Sequence, residues 1–237
     1  MTKVEAIERV LRDNGGAASL SYIYDNIEHY YPGVKEPREW EAGIRGVLYR
    51  DVGKRFKRVG LSLYAIADYE EEKTPKKDKV RMHSFIEGIC IEWGNFKNFK
   101  TYTADPSALY RDNIKLKDIA TMPELPPFTY PEILQEVKHI DILWFNQKSF
   151  MFPQYAIEVV DSIGTLNNAF NRCLQLQNMH TKFIIVAPEK HREKYKQTLR
   201  LETYQREQHR FRFLNYDDLQ KIYHHSAQLR ELEANIF

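Results

Sequence analysis

Two acidic residues sit inside apolar stretches where a lone charge is expensive. Asp141 lies in HIDILWF (139–145) and Glu158 in QYAIEVVD (154–161). A carboxylate in such a run is costly to bury unless it is paired, hydrogen-bonded or bound to a metal ion. Strand alternation puts His139, Asp141 and Leu143 on one face of the first segment, and Ala156, Glu158 and Val160 on one face of the second. A short polar turn around 146–149 joins the two segments, so the carboxylates can converge. Converging carboxylates oppose each other's ionisation and favour a hard divalent cation between them. Such a cation activates a water and polarises a phosphoryl oxygen, which is the chemistry of phosphodiester hydrolysis.

The elements that must hold these residues can be read on either side. Residues 78–94, DKVRMHSFIEGICIEWG, form a helix with Val80, Phe85, Ile86, Ile89, Cys90 and Trp93 as its apolar set. A strand follows at 99–105, then an irregular insert over 106–131 containing Pro106, Pro123, Pro126, Pro127 and Pro131. After the two carboxylate strands come a helix at 165–179, the apolar strand KFIIVAP (182–188) and a helical tail interrupted by FRFLN (211–215). Helices alternating with buried strands imply an α/β core with a mixed sheet flanked by helices.

The first seventy residues read differently. Val4, Ile7, Val10 and Leu11 make one face of a helix that Gly15-Gly16 ends. Ser19 or Ser21 caps a second helix running to Pro32-Gly33. A third opens after Pro37, with Trp40, Ile44, Val47 and Leu48 inward. KRFKRVGLSLYAI then alternates around a Gly60 turn. Three helices followed by a basic hairpin is the order of a winged helix-turn-helix. The charged stretch YEEEKTPKKDK (69–79) reads as a linker. The expected organisation is therefore a winged-helix domain over 1–69, a linker over 70–79 and the α/β domain over 80–237.

The order helix, strand, Asp-bearing strand, Glu-bearing strand, helix, strand resembles the PD-(D/E)XK core of restriction-endonuclease-like nucleases, over roughly residues 78–188. The matching residues are Asp141 and Glu158. The resemblance implies that both bind Mg²⁺. It adds Glu87 on the first core helix as a further ligand, and Arg172, Gln175 or Gln177 on the helix after the Glu strand as polar residues facing the site. One position departs from the family. Its motif ends Glu-x-Lys, and here the third residue is Val160. Asp161 or Ser162 could stand in as a base, Lys182 or Lys138 could supply the cation, or a second metal ion could replace it. His139, on the Asp141 face, could position a water or contact phosphate. The core could also be inactive.

Lys54, Arg55, Lys57 and Arg58 cluster at the hairpin, and Arg38, Arg45 and Arg50 sit on the preceding helix. Such residues follow phosphates or reach guanine edges, although a charge run is more often a solvated face. Net charge is only +2, so any nucleic-acid contact must rest on local charge. Two cysteines, Cys90 and Cys173, exclude a disulfide scaffold and a four-thiolate zinc site. No apolar run is long enough for a membrane helix and the N-terminus reads as an amphipathic helix, so a cytoplasmic protein is expected. Taken together, the expectation is a Mg²⁺-dependent type II restriction endonuclease acting on double-stranded DNA as a homodimer, with a methyltransferase on a separate chain. The alternatives are a DNA-binding regulator or defence protein with a degenerate core, and a nuclease of little sequence preference.

Overall fold

The computed structural model of the chain describes residues 1–70, 81–111, 114–147 and 150–236. Most of the expected linker (71–79), Val80 and part of the turn between the carboxylate strands (148–149) lie outside the described residues.

The N-terminal part runs α1 (Lys3–Asp13), β1 (Ala17–Ser19), α2 (Leu20–Tyr30), α3 (Trp40–Asp51), β2 (Phe56–Arg58) and β3 (Leu63–Ile66). Thr2 and Glu5 close a reciprocal capping box on α1, satisfying donors that a helix N-terminus leaves open. Ser19 caps α2 by accepting from the Tyr22 amide. The three strands pair antiparallel in the order β1-β3-β2. β1 is too short to give a sequence signal.

β3 reads Leu-Tyr-Ala-Ile and is buried on both faces. Tyr64 and Ile66 join Ile7, Leu11, Ile44 and Leu48 in the core beneath α1–α3. Leu63 and Ala65 face the other way and share a core with Ile86, Ile89 and Tyr110 of the C-terminal part. A continuous apolar run is the mark of a strand covered on both sides. The N-terminal module is thus packed onto the rest of the chain.

The hairpin turn between β2 and β3 is part of that contact. The Ser62 amide and hydroxyl both donate to Glu92 Oε1 at 2.9 Å, and the Tyr223 hydroxyl lies against Glu92 Oε2 and accepts from the Leu61 amide. Tyr110 also donates to Glu92, which is fully buried. Such a carboxylate is retained only when its acceptor sites are filled. Gly60 is required at the turn, since a Cβ there would lie 2.7 Å from the Tyr223 hydroxyl and 2.8 Å from Glu92.

Among the described residues of the C-terminal part, five strands form a mixed sheet in the order β10-β9-β8-β7-β4. They are β4 (Lys100–Thr103), β7 (Ile142–Phe145), β8 (Pro153–Val159), β9 (Lys182–Ala187) and β10 (Phe211–Asn215). β8, β9 and β10 run parallel, whereas β7 pairs antiparallel with both β8 and β4. Helix α4 (Met82–Phe96) and the C-terminal helix α9 (Tyr216–Ile236) supply side chains to the core on one face. On the other face α5 (Pro131–Val137), α6 (Leu166–Leu174) and α7 (Arg192–Leu199) do so, with Tyr204 of the short α8 (Glu202–Gln205). The mixed α/β architecture is the one expected.

The proline-containing insert is more ordered than its composition implies. It forms the hairpin β5 (Leu109–Arg111) and β6 (Ile114–Lys115) and buries Tyr110, Ile114, Leu116 and Ile119. The Tyr110 ring lies directly on the α4 backbone at Gly88, where a Cβ would come within 2.0 Å of it. Gly88→Ala should therefore cost about 1–3 kcal/mol through overpacking, readable as a lower urea midpoint at unchanged slope.

Candidate active site

The register of β7 and β8 brings the two acidic residues together. Ile142 pairs with Ile157 and Leu143 with Ala156, which places Asp141 opposite Glu158. Asp141 stands just ahead of β7, and its Oδ2 accepts the Val159 amide at 2.8 Å. From there it meets side chains from both faces of the sheet.

On the α4 face, His83 and Glu87 are one helical turn apart. His83 Nε2 lies 3.6 Å from Glu87 Oε1 and 3.8 Å from Asp141 Oδ2. Its Nδ1 faces Asp161 Oδ2 at 3.3 Å. Asp161 is held in turn by the Tyr216 hydroxyl, and its carbonyl contacts His191 Nε2 at 3.0 Å. Glu87 is 2% exposed, and its Oε2 is buried without a hydrogen-bond partner among the described residues. One ligand atom each from His83, Glu87 and Asp141 fall within 4.8 Å of one another.

On the α6 face, Glu158 is fully buried and engaged by Arg172. Arg172 Nε donates to Oε1 at 2.6 Å and Nη2 to Oε2, a two-pronged pair. The two carboxyls adjoin, but Glu158 is occupied by the guanidinium. Arg172 then lines a hollow of about 320 Å³ with Glu136, His139, Asn168, Asn171 and Gln175.

The titration behaviour follows from this crowding. Burial pushes Glu87 up to about 8, with Asp141 adding to the rise and His83 opposing it. Burial likewise raises Glu158 to about 8, against the pull of Arg172. Asp141 is raised by burial and restrained by the Val159 amide and His83. His83 is raised to about 9, chiefly by its contact with Asp161 and then by the fields of Glu87 and Asp141. A buried set of carboxyls held back from ionising is short of positive charge, the condition a divalent cation relieves.

Several expected residues lie elsewhere. His139 is exposed in the turn between α5 and β7, three residues before the strand begins, so it shares no strand face with Asp141. Val160 is buried and donates its amide to the Val186 carbonyl, where the family motif has its lysine. Lys182 does not replace it. It pairs in register with Tyr155, three residues along β8 from Glu158, and sits over the Tyr155 ring. Lys138 bonds Gln135. Sequence reasoning missed His83, although its four-residue spacing from Glu87 put both on one helical face.

The basic residues of the N-terminal module divide into two groups. Arg58 is spent within the hairpin on the carbonyls of Gly60 and Leu61. Arg45 bonds the Tyr24 hydroxyl, and Lys57 lies over the Tyr69 ring. Arg38, Arg50, Lys54 and Arg55 are exposed, Arg55 lying 3.8 Å from Glu8.

The mixed α/β sheet thus gathers His83, Glu87, Asp141 and Glu158 where two adjacent strands meet. The chain belongs to the family of the type II restriction enzyme NmeDI C-terminal domain, whose model matches residues 65–237. No curated protein and no solved structure matches it. The family implies an endonuclease that binds DNA. Among the described residues no helix is long and apolar enough to cross a membrane.

Proposed function

We propose that the chain is a divalent-metal-dependent endonuclease of the PD-(D/E)XK type that cuts double-stranded DNA at a recognised sequence. The observation that carries this reading is the buried Glu87 oxygen left without a partner beside Asp141, at the sheet position where Glu158 also arrives. Asp141 and Glu87 would hold the ion, with Mg²⁺ the expected cation. When bound, the ion supplies Lewis-acid polarisation of the phosphate and lowers the pKa of a water.

The protein's own groups do the positioning. The Val159 amide fixes the Asp141 carboxylate. Glu158 orients Arg172 towards the hollow that Gln175 and His139 also line, where its remaining N–H groups can take a phosphate oxygen. Positive charge that the family draws from a lysine at position 160 comes here from Arg172 on α6.

DNA contact falls to Arg38 and Arg50 around α3, together with Lys54 and Arg55 before β2, in the manner of a winged helix-turn-helix whose hairpin tip is occupied. Cutting both strands at one place calls for two centres, hence a two-fold homodimer, and protection of host DNA calls for a methyltransferase on another chain.

Incubation of the full chain with plasmid DNA and Mg²⁺ tests the reading. Discrete fragments that vanish with EDTA are expected. A smear would make it a nuclease without sequence preference. A gel shift with no cutting in Mg²⁺ or Mn²⁺ would overturn the enzyme in favour of a DNA-binding regulator.

A further inference from the structure

We propose that His83 is itself a metal ligand, so that the centre binds a first-row transition ion such as Mn²⁺ more tightly than Mg²⁺. The inference rests on the metal-dependent reading above and specifies the donor set. Two ligand atoms each about 2.1 Å from one ion can lie no more than about 4.2 Å apart, and about 3.0 Å apart when cis in an octahedral shell. His83 Nε2 stands 3.6 Å from Glu87 Oε1 and 3.8 Å from Asp141 Oδ2. A single ion seated among the three atoms satisfies both separations and also reaches a buried carboxylate with an unused oxygen.

The far side of the ring supports the same assignment. Metal-binding imidazoles commonly pass their second nitrogen to a carboxylate, which fixes the tautomer and the ring plane. Here Nδ1 faces Asp161, and Tyr216 anchors Asp161 from the start of α9. The ring therefore presents Nε2 to the cluster from a held orientation. Asp161 is a positioning residue in this scheme, acting only through His83.

The donor types set the preference. Mg²⁺ favours an all-oxygen shell and keeps several waters. An imidazole nitrogen favours ions further along the transition series. A nitrogen at this position thus raises affinity for Mn²⁺ relative to Mg²⁺ without excluding either.

The test uses Mn²⁺ as the probe on the full chain, by calorimetric titration and electron spin-echo envelope modulation. The wild type should bind Mn²⁺ at least tenfold more tightly than Mg²⁺ and show ¹⁴N modulation from a coordinated imidazole. His83→Ala should lose the modulation and bring the two affinities within about threefold of each other. Asp161→Asn should keep the modulation and weaken Mn²⁺ binding by about 10–100-fold. Mn²⁺ bound by the wild type without ¹⁴N modulation, or modulation surviving in His83→Ala, would overturn the assignment. Asp141→Asn separates the two levels. If it leaves Mn²⁺ affinity unchanged, the centre itself is misplaced. If it abolishes binding while His83→Ala leaves the Mn²⁺ to Mg²⁺ ratio as in the wild type, only the histidine assignment fails.

Discussion

Glu87→Gln should silence DNA cleavage by roughly a thousandfold or more and yet give a more stable protein in the absence of metal. Its carboxyl titrates from 4.5 in the unfolded chain and at about 8 in the folded one. Below pH 4.5 both states hold the proton and the substitution is close to neutral. As pH rises towards 8 the unfolded chain ionises while the folded chain resists, so the wild type loses stability that the glutamine variant keeps. The full difference is reached at about pH 8 and above. Part of it is offset because His83 loses a partner, though Asp141 and Asp161 remain beside the ring. A net gain of about 2 kcal/mol corresponds to roughly 4–8 °C in Tm for a chain of this size. The check is a pair of melting curves in EDTA at pH 8 and pH 5, with most of the gain present at the first and lost at the second. Added Mn²⁺ should raise the Tm of the wild type and leave that of the variant nearly still. Equal melting at pH 8 would show that the carboxyl is not under the strain assigned to it.

Arg172→Ala should be the most destabilising single change at the site. It strips both hydrogen bonds from a carboxylate with no exposed surface. Removing one member of a buried pair costs about 3–5 kcal/mol because the other charge is left unpaired. The loss has a pH signature. Without the guanidinium the folded-state pKa of Glu158 rises further above 4.5, so the penalty grows as pH rises and fades below the unfolded pKa. Urea unfolding at pH 5 and pH 8 should show the larger deficit at pH 8. Arg172→Ala with Glu158→Gln should recover a good part of the stability and none of the cleavage, since an uncharged amide tolerates that position better than a lone charge. If the double variant is no more stable than the single, the pair is not what holds this face together.

Much of this arrangement can be read from the chain. Asp141 and Glu158 stand out because each interrupts an apolar stretch of sequence, and a short antiparallel connection makes residues 141 and 158 neighbours. The two-sided burial of β3 is also legible in the continuous apolar run Leu-Tyr-Ala-Ile, beside the basic residues that mark the hairpin as a nucleic-acid contact. The partner of Glu158 was less legible, because Arg172 is 14 positions away on a helix whose phase depends on how it packs. His139 shows the limit of alternation as a guide. The strand starts later than its apolar pattern does, and His139 lies three residues ahead of its first rung, in the turn after α5. His83 could have been found by asking which α4 residues share the face of Glu87. Tyr216 could not, since its approach to Asp161 depends on where the last helix crosses the sheet.

The seating of the hairpin turn against Glu92 and Tyr223 bears on where the DNA is broken. A reading head on a loose tether would let the cut wander over several base pairs. Here α3 and the acidic cluster are joined through β3, whose two faces belong to the two cores, so under the proposed function the span between recognised bases and severed phosphate would behave as a caliper locked at one setting. Lengthening the 71–80 segment with glycine and serine should then leave the offset between site and break unchanged, whereas loosening the turn with Tyr223→Phe and Ser62→Ala together should blur a single band into a ladder.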